Sequence, residues 1–217
     1  MTEERPTYDD KLARILRMAA AIFAEKGYHE ASIRDISRAT DVSLSGLYYY
    51  FSSKEELLFL IQDHCFTTLL DNLDRLLEQE NEPLRRFRLM VENHLRFFVN
   101  NMKEMKVLSH ELDSLTGEFR QIVNAKKRRY TDTCGAILQT VAPEDSALDP
   151  RVAVYSLFGM MNWIYNWYHP DRDVPVSKLA DDMSQLFLRG YLSGAGGEAQ
   201  DWASDVSVEP SPSIWRT

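Results

Sequence analysis

The chain has 217 residues, of which 44% are hydrophobic, enough to bury a core and too many for a wholly disordered chain. Its net charge of −8 disfavours a protein that coats nucleic acid without selectivity, because a polyanion needs clustered cations. The two cysteines, Cys65 and Cys134, lack any zinc or CxxC spacing and read as reduced thiols.

The charge is unevenly spread. Residues 1–54 carry eight basic and eight acidic side chains, so the rest of the chain holds the whole deficit. A neutral N-terminal part can still meet DNA if its cations share a face. No N-terminal stretch reads as a signal peptide. The apolar run at 18–23 is too short to span a bilayer, and the aromatic run at 152–168 is interrupted by Asn162 and Asn166. A cytoplasmic protein without membrane contact is expected.

Helical period dominates from the start. Residues 9–26 place Leu12, Ile15, Leu16, Ala19, Ala20 and Phe23 on one face, and Gly27 ends the run. Ser32 is a good N-cap, with Asp35 at the third helical position to complete a capping pattern. The short helix that follows turns Ile33, Ile36 and Ala39 inward. Asp41-Val42-Ser43 then forms a tight turn in which Asp41 takes a left-handed backbone. A second short helix over 44–51 buries Leu47 and Phe51. Two short helices on a three-residue turn make a helix-turn-helix, whose second helix enters the major groove.

The DNA-contact set follows from the exposed residues of this unit. Tyr48, Tyr49 and Tyr50 stand side by side, with hydroxyls suited to phosphates and rings suited to sugars or thymine methyls. Ser43, Ser45 and a close backbone approach at Gly46 belong to the same face. Ser32 and Arg34 are candidate phosphate contacts, and Lys54 opens the next helix where its charge and the backbone N–H groups suit a phosphate. Packing, capping or simple solvation are the competing roles for Tyr48, Ser32 and Arg34.

The runs Ala19-Ala20-x-x-Phe23-x-x-x-Gly27-Tyr28, Ser32-Ile33-Arg34-Asp35-Ile36 and Val42-Ser43-x-x-Gly46-Leu47-Tyr48-Tyr49-Tyr50-Phe51-x-x-Lys54-Glu55-x-Leu57 resemble the DNA-binding domain of TetR-type repressors. The resemblance implies an all-α protein. A three-helix DNA-binding domain (1–53) would carry a helical ligand-binding and dimerisation domain (54–193), and the shift of composition to Gly, Ala, Ser, Asp and Pro from Ser193 reads 194–217 as a disordered tail. It also implies a homodimer on palindromic operator DNA, released by a small effector. Asp41 stands where such proteins usually have glycine.

Further helices are expected at 54–79, 83–100, 104–112, 116–141, 150–168 and 176–192, with no strand and no repeat. In the helix over 150–168, Trp163 and Trp167 at i, i+4 share a face with Met160 one turn earlier, and Asn162, Tyr165 and Asn166 add polar groups. This is either a core stripe with a dimer seam or the wall of a tunnel for an apolar ligand with a polar end. The pattern G-M-x-N-W-x-Y-x-W-Y is similar to that of TetR-type regulators that sense acyl-coenzyme A and repress fatty-acid or sterol-side-chain degradation. A long-chain acyl-coenzyme A is therefore the expected effector, an unrelated hydrophobic or aromatic compound being the alternative. Its charged end would need cations, and Lys126 and Arg129 in the run Lys126–Arg129 are candidates unless that run is a solvated surface. Phe97 beside Arg96 could also reach the ligand, whereas His94 and His110 fit a satisfied core role better. The last two helices would pair in the dimer through Leu179, Met183, Leu186, Phe187 and Tyr191. No paired carboxylates, nucleophile set, phosphate loop or metal spacing stands out, so neither an enzyme nor a metal or cofactor protein is expected.

Overall fold

The computed structural model describes residues 8–111, 113–142 and 148–192. Among them are nine α-helices and one 3-10 turn, and no strand. They are α1 (Tyr8–Lys26), α2 (Ile33–Thr40), α3 (Leu44–Leu47), α4 (Lys54–Leu77), α5 (Pro83–Asn100), α6 (Met102–His110), α7 (Gly117–Val141), α8 (Pro150–Asn162) and α9 (Val176–Leu192). The expected tail at 194–217 lies outside the described residues.

Each boundary has a local cause. Gly27 adopts a φ of +84° and closes α1, its N–H bonding the Phe23 carbonyl at 2.9 Å. Pro83 occupies the first turn of α5, where its missing N–H costs nothing, and Glu82 caps the N–H groups of Leu84 and Arg85. Asp149 caps α8 in the same way ahead of Pro150.

The helices α1–α3 close over Ile15, Ala19, Ala20, Phe23, Ile36, Leu47 and Phe51, all buried. The long helix α4 serves both halves of the chain. Its first turns bury Leu57, Leu58 and Ile61, and its later turns bury Leu69, Leu70 and Leu73. Because α1 packs on both α4 and α6, the buried residues form one continuous core. In the larger half, α5 is central and packs against α4, α7, α8 and α9. An ion pair from Arg88 to Asp181 (2.6 Å) ties α5 to α9.

One expected element differs. The helix over 150–168 ends at Asn162 and tightens into a 3-10 turn over Trp163–Asn166. The N–H groups of Trp167 and Tyr168 both bond the Ile164 carbonyl, and the turn that follows is tied by the His169 N–H to Asp173 (2.6 Å). Pro170 prevents a return to helix, and 3-10 turns commonly finish helices in this way. With about three residues per turn instead of 3.6, the expected stacking of Trp163 on Trp167 is lost. Trp163 meets Tyr165 instead, and Trp167 meets Tyr168.

Candidate functional site

The unit α2–turn–α3 is built by its caps. The Ser32 hydroxyl accepts the Asp35 N–H at 3.2 Å and donates to the Asp35 carboxylate at 2.6 Å, while that carboxylate also takes the Ser32 N–H. The Ser32 hydroxyl, then Lys26, then the Ser32 N–H hold the Asp35 carboxyl well below the usual carboxylate range. The proton of Ser32 is thus already committed, and a phosphate at this hydroxyl would have to compete with Asp35. Asp41 closes α2 with φ 56° and ψ 33°, the left-handed conformation expected of it. Ser43 caps α3 by accepting the Gly46 N–H at 3.1 Å, and its oxygen lies 3.1 Å from that of Ser45.

Gly46 has a cause inside the protein. A Cβ there would lie 2.9 Å from Val42 Cγ1 and 3.2 Å from Ser43 Oγ, so the turn itself needs the missing side chain. A close DNA backbone is not required to explain it. The second helix is shorter than expected, four residues continued by turn bonds from Tyr50 and Phe51 to the Leu47 carbonyl. Leu47 and Phe51 are buried as their spacing predicts.

Tyr48 and Tyr49 are 53% and 74% exposed, an unusual pair of rings to leave in water. Tyr50 is half-buried and meets the Tyr49 ring edge-on at 5.3 Å. Ser43, Gly46, Tyr49 and Tyr50 line a concavity of about 510 Å³ whose opposite wall is α1, contributing Lys11 and Arg14. Arg14 also reaches the Thr40 carbonyl at 3.3 Å. These two cations were not in the expected set. They lie some thirty residues away in sequence and join the face only through the packing of α1 on α2. Arg34 and Ser45 are exposed on the same unit.

Lys54 is a correction. Its ammonium donates to the carbonyls of Tyr28, His29 and Ala31 at 3.0, 3.0 and 3.1 Å and lies 4.7 Å from the centre of the Tyr28 ring. All three ammonium protons are used inside the protein. Lys54 therefore clasps the α1–α2 loop, and a phosphate would have to compete with these three carbonyls for its donors.

A second site lies among α4–α8, a cavity of about 590 Å³, within the roughly 300–1,000 Å³ typical of ligand pockets. Phe66, Leu69, Phe97, Phe98, Met105 and Phe158 give it an apolar wall. Of the expected ligand residues, Phe97, Asn162 and Trp163 line it. Met160 and Trp167 do not; with Leu179, Met183 and Leu186 they line an apolar groove between α8 and α9 that Trp163 also borders. Asn166 lines neither, and its amide bonds back to the Trp163 carbonyl at 3.4 Å. Met160, Trp163 and Trp167 thus share one face, as their spacing predicts, but that face borders the groove; the 3-10 turn accounts for Asn166, which leaves the helical phase of Asn162.

Lys126 and Arg129 are also corrected. Lys126 is ion-paired with Asp63, and Arg129 with Asp74 at 2.6 Å, so both stitch α7 to α4. Lys127 is the member of the run that lines the cavity. The signal was present in the helical phase. Val123, Tyr130, Cys134, Ile137 and Leu138 mark the buried face of α7, and Lys127 falls between the first two at i+4 and i−3.

His94 is a satisfied core residue, as expected. Its Nδ1 pairs with the Tyr130 hydroxyl and its Nε2 with Asn162 Oδ1, both at 3.0 Å. Burial pushes its pKa down to about 4, only partly opposed by the bond to Asn162. An unfolded histidine takes up a proton near pH 6.5 and the folded one only near 4, so between these values the unfolded state binds more protons. Stability is therefore full above about pH 6.5 and falls as pH drops toward 4, by roughly 3 kcal/mol in total. Urea midpoints from pH 7 to 4 should show this loss, and His94→Gln should flatten it; an equal slope in the variant would assign the loss elsewhere.

Cys65 and Cys134 are buried free thiols, both pushed up to about 12 chiefly by burial. Among the described residues no three His, Cys, Asp or Glu side chains are grouped to hold a metal ion, and no helix is long and apolar enough to cross a membrane.

Residues 15–61 match the model for bacterial regulatory proteins of the tetR family, and residues 80–191, over half the chain, match the Tetracyclin repressor-like C-terminal domain. The chain belongs to the TetR family of transcriptional regulators. Within that family, it is 35% identical to a TetR-family regulator from Bordetella parapertussis 12822, over 85% of this chain and 97% of that one, with a TM-score of 0.78. It is 28% identical to AibR, solved in complex with isovaleryl coenzyme A and operator DNA, over 81% and 97% of the two chains, with a TM-score of 0.71. A fatty acid metabolism regulator protein of Bacillus subtilis is 22% identical over 88% of this chain and 98% of its own. TetR-family proteins are DNA-binding regulators, so the exposed tyrosines of the turn after α3 lie on a DNA-binding unit.

Proposed function

We propose that this TetR-family protein is a homodimeric repressor that binds palindromic operator DNA and is released by a small amphiphilic effector, with a long-chain acyl-coenzyme A as the leading candidate. The observation that carries the effector reading is the apolar cavity among α4–α8, with its polar station of His94, Tyr130 and Asn162. AibR, which binds isovaleryl coenzyme A, and the Bacillus subtilis fatty acid metabolism regulator support the choice of acyl-coenzyme A.

On this reading Ser43, Ser45, Tyr48, Tyr49 and Tyr50 face the operator, with Lys11, Arg14 and Arg34 toward its phosphates. The dimer forms through the groove between α8 and α9, where Trp163, Trp167 and Leu186 are exposed together. Release is a population shift. Met105 lines the cavity and belongs to α6, and α6 packs on α1. A ligand that pushes on Met105 favours a different position of α6 and, with it, of α1 and the recognition unit. The operator affinity then falls by the ligand's differential affinity for the two states.

Native mass spectrometry of the purified protein tests the occupant. The expected spectrum shows one acyl-chain ligand per chain, either co-purified or taken up from added palmitoyl-coenzyme A. A bare polypeptide that takes up none of it would refute the acyl-coenzyme A effector.

A further inference from the structure

Among the described residues that line the effector cavity, Lys127 is the only lysine or arginine. Of the other basic residues along this stretch of α7, Arg120 pairs with Asp113, Lys126 with Asp63 and Arg129 with Asp74, while Arg128 is exposed and does not line the cavity. Lys127 has no ion-pair partner among the described residues. Its ammonium lies 5.6 Å from the centre of the Phe66 ring, another wall of the same cavity. Tyr130 and Thr131 follow it on one face of α7, at i+3 and i+4, and also line the cavity. A half-buried ammonium without a counter-ion is costly, and the cost is removed when an anion arrives.

We propose that Lys127 is the anchor for the acidic end of the effector, which is therefore an amphiphile carrying a carboxylate or phosphate on an apolar body. This rests on the effector reading above and narrows it. The apolar body fills the space among Phe97, Phe98, Met105 and Phe158, and the anionic oxygen sits at Lys127 beside Tyr130. One cation satisfies one anionic group, so a head with several phosphates leaves the others in water beyond the cavity. Burial lowers the Lys127 pKa, opposed by Asp113 and reinforced by Arg120, and a bound anion would restore it.

Calorimetric titration of the full chain with dodecanoate, lauroyl-coenzyme A and dodecanol tests this. Wild type should bind at least one of the two anionic ligands about tenfold or more tighter than dodecanol. Preference for dodecanoate alone assigns a carboxylate, and preference for lauroyl-coenzyme A alone a phosphate. K127M should lose the preference while still binding dodecanol, K127R should keep it, and K126M should behave as wild type. Equal affinity of wild type for dodecanol and both anionic ligands would overturn the proposal without recourse to any variant, as would an unchanged preference in K127M. Binding of none of the three would overturn the effector reading as well.

Discussion

Leu186→Asp is expected to yield a folded monomer with operator affinity reduced at least about 100-fold, toward the non-specific level. Leu186 is 71% exposed on α9 and borders the groove that Trp163 and Trp167 share. An isologous interface presents the same residue from both copies, so one substitution buries two carboxylates near the axis. Asp182 borders the same groove, so the added carboxylates also meet like charge. A helix-turn-helix that reads a palindrome depends on two units held about one DNA turn apart, and a monomer keeps only one. Sedimentation velocity and fluorescence polarisation measure the two consequences separately. A variant that stays dimeric would place the interface elsewhere, and a monomer with full operator affinity would remove the need for a dimer.

Lys54→Met is expected to destabilise the protein by about 2–3 kcal/mol, the range for losing a charged donor to backbone carbonyls. For a chain of this size that lowers Tm by roughly 5–10 °C. The carbonyls of Tyr28, His29 and Ala31 turn toward a single ammonium, and methionine fills the space without offering a donor. Operator binding should also weaken, because the clasped loop sets the angle between α1 and α2. The salt dependence separates this from a direct phosphate contact. Loss of one neutralised phosphate lowers the slope of log affinity against log salt by about 0.9, whereas loss of a clasp leaves the slope unchanged. A reduced slope with an unchanged Tm would return Lys54 to the DNA interface.

The difference between what was legible in the sequence and what was not is physical. Local chemistry was legible. Ser32 with Asp35, the left-handed Asp41, the buried pair Leu47 and Phe51, and the stops at Gly27 and Pro83 each depend on neighbours within a turn or two. The all-helical fold followed from the same short-range periodicity. What failed depended on partners far along the chain or on helical phase. Lys54 finds carbonyls more than twenty residues away, and Lys11 and Arg14 join the recognition face only through packing. Treating 150–168 as one regular helix carried Asn166 onto the wrong face once the backbone tightened after Asn162, and the shared face of Met160, Trp163 and Trp167 borders the outer groove, a choice that periodicity alone could not make. In the basic run of α7, charge alone could not choose among four adjacent residues. The apolar phase set by Val123 and Tyr130 could, and it selects Lys127.

The association of ligand and DNA in one molecule is tested most directly by competition. A fluorescein-labelled duplex, selected by the protein from a random-sequence pool, is titrated with the full chain with and without saturating palmitoyl-coenzyme A, and polarisation is read. The proposed mechanism predicts that operator affinity falls at least about tenfold, within the usual range of allosteric coupling. The half-effect should come at the concentration where the cavity fills. Operator affinity unchanged at a ligand concentration that saturates the cavity would contradict it.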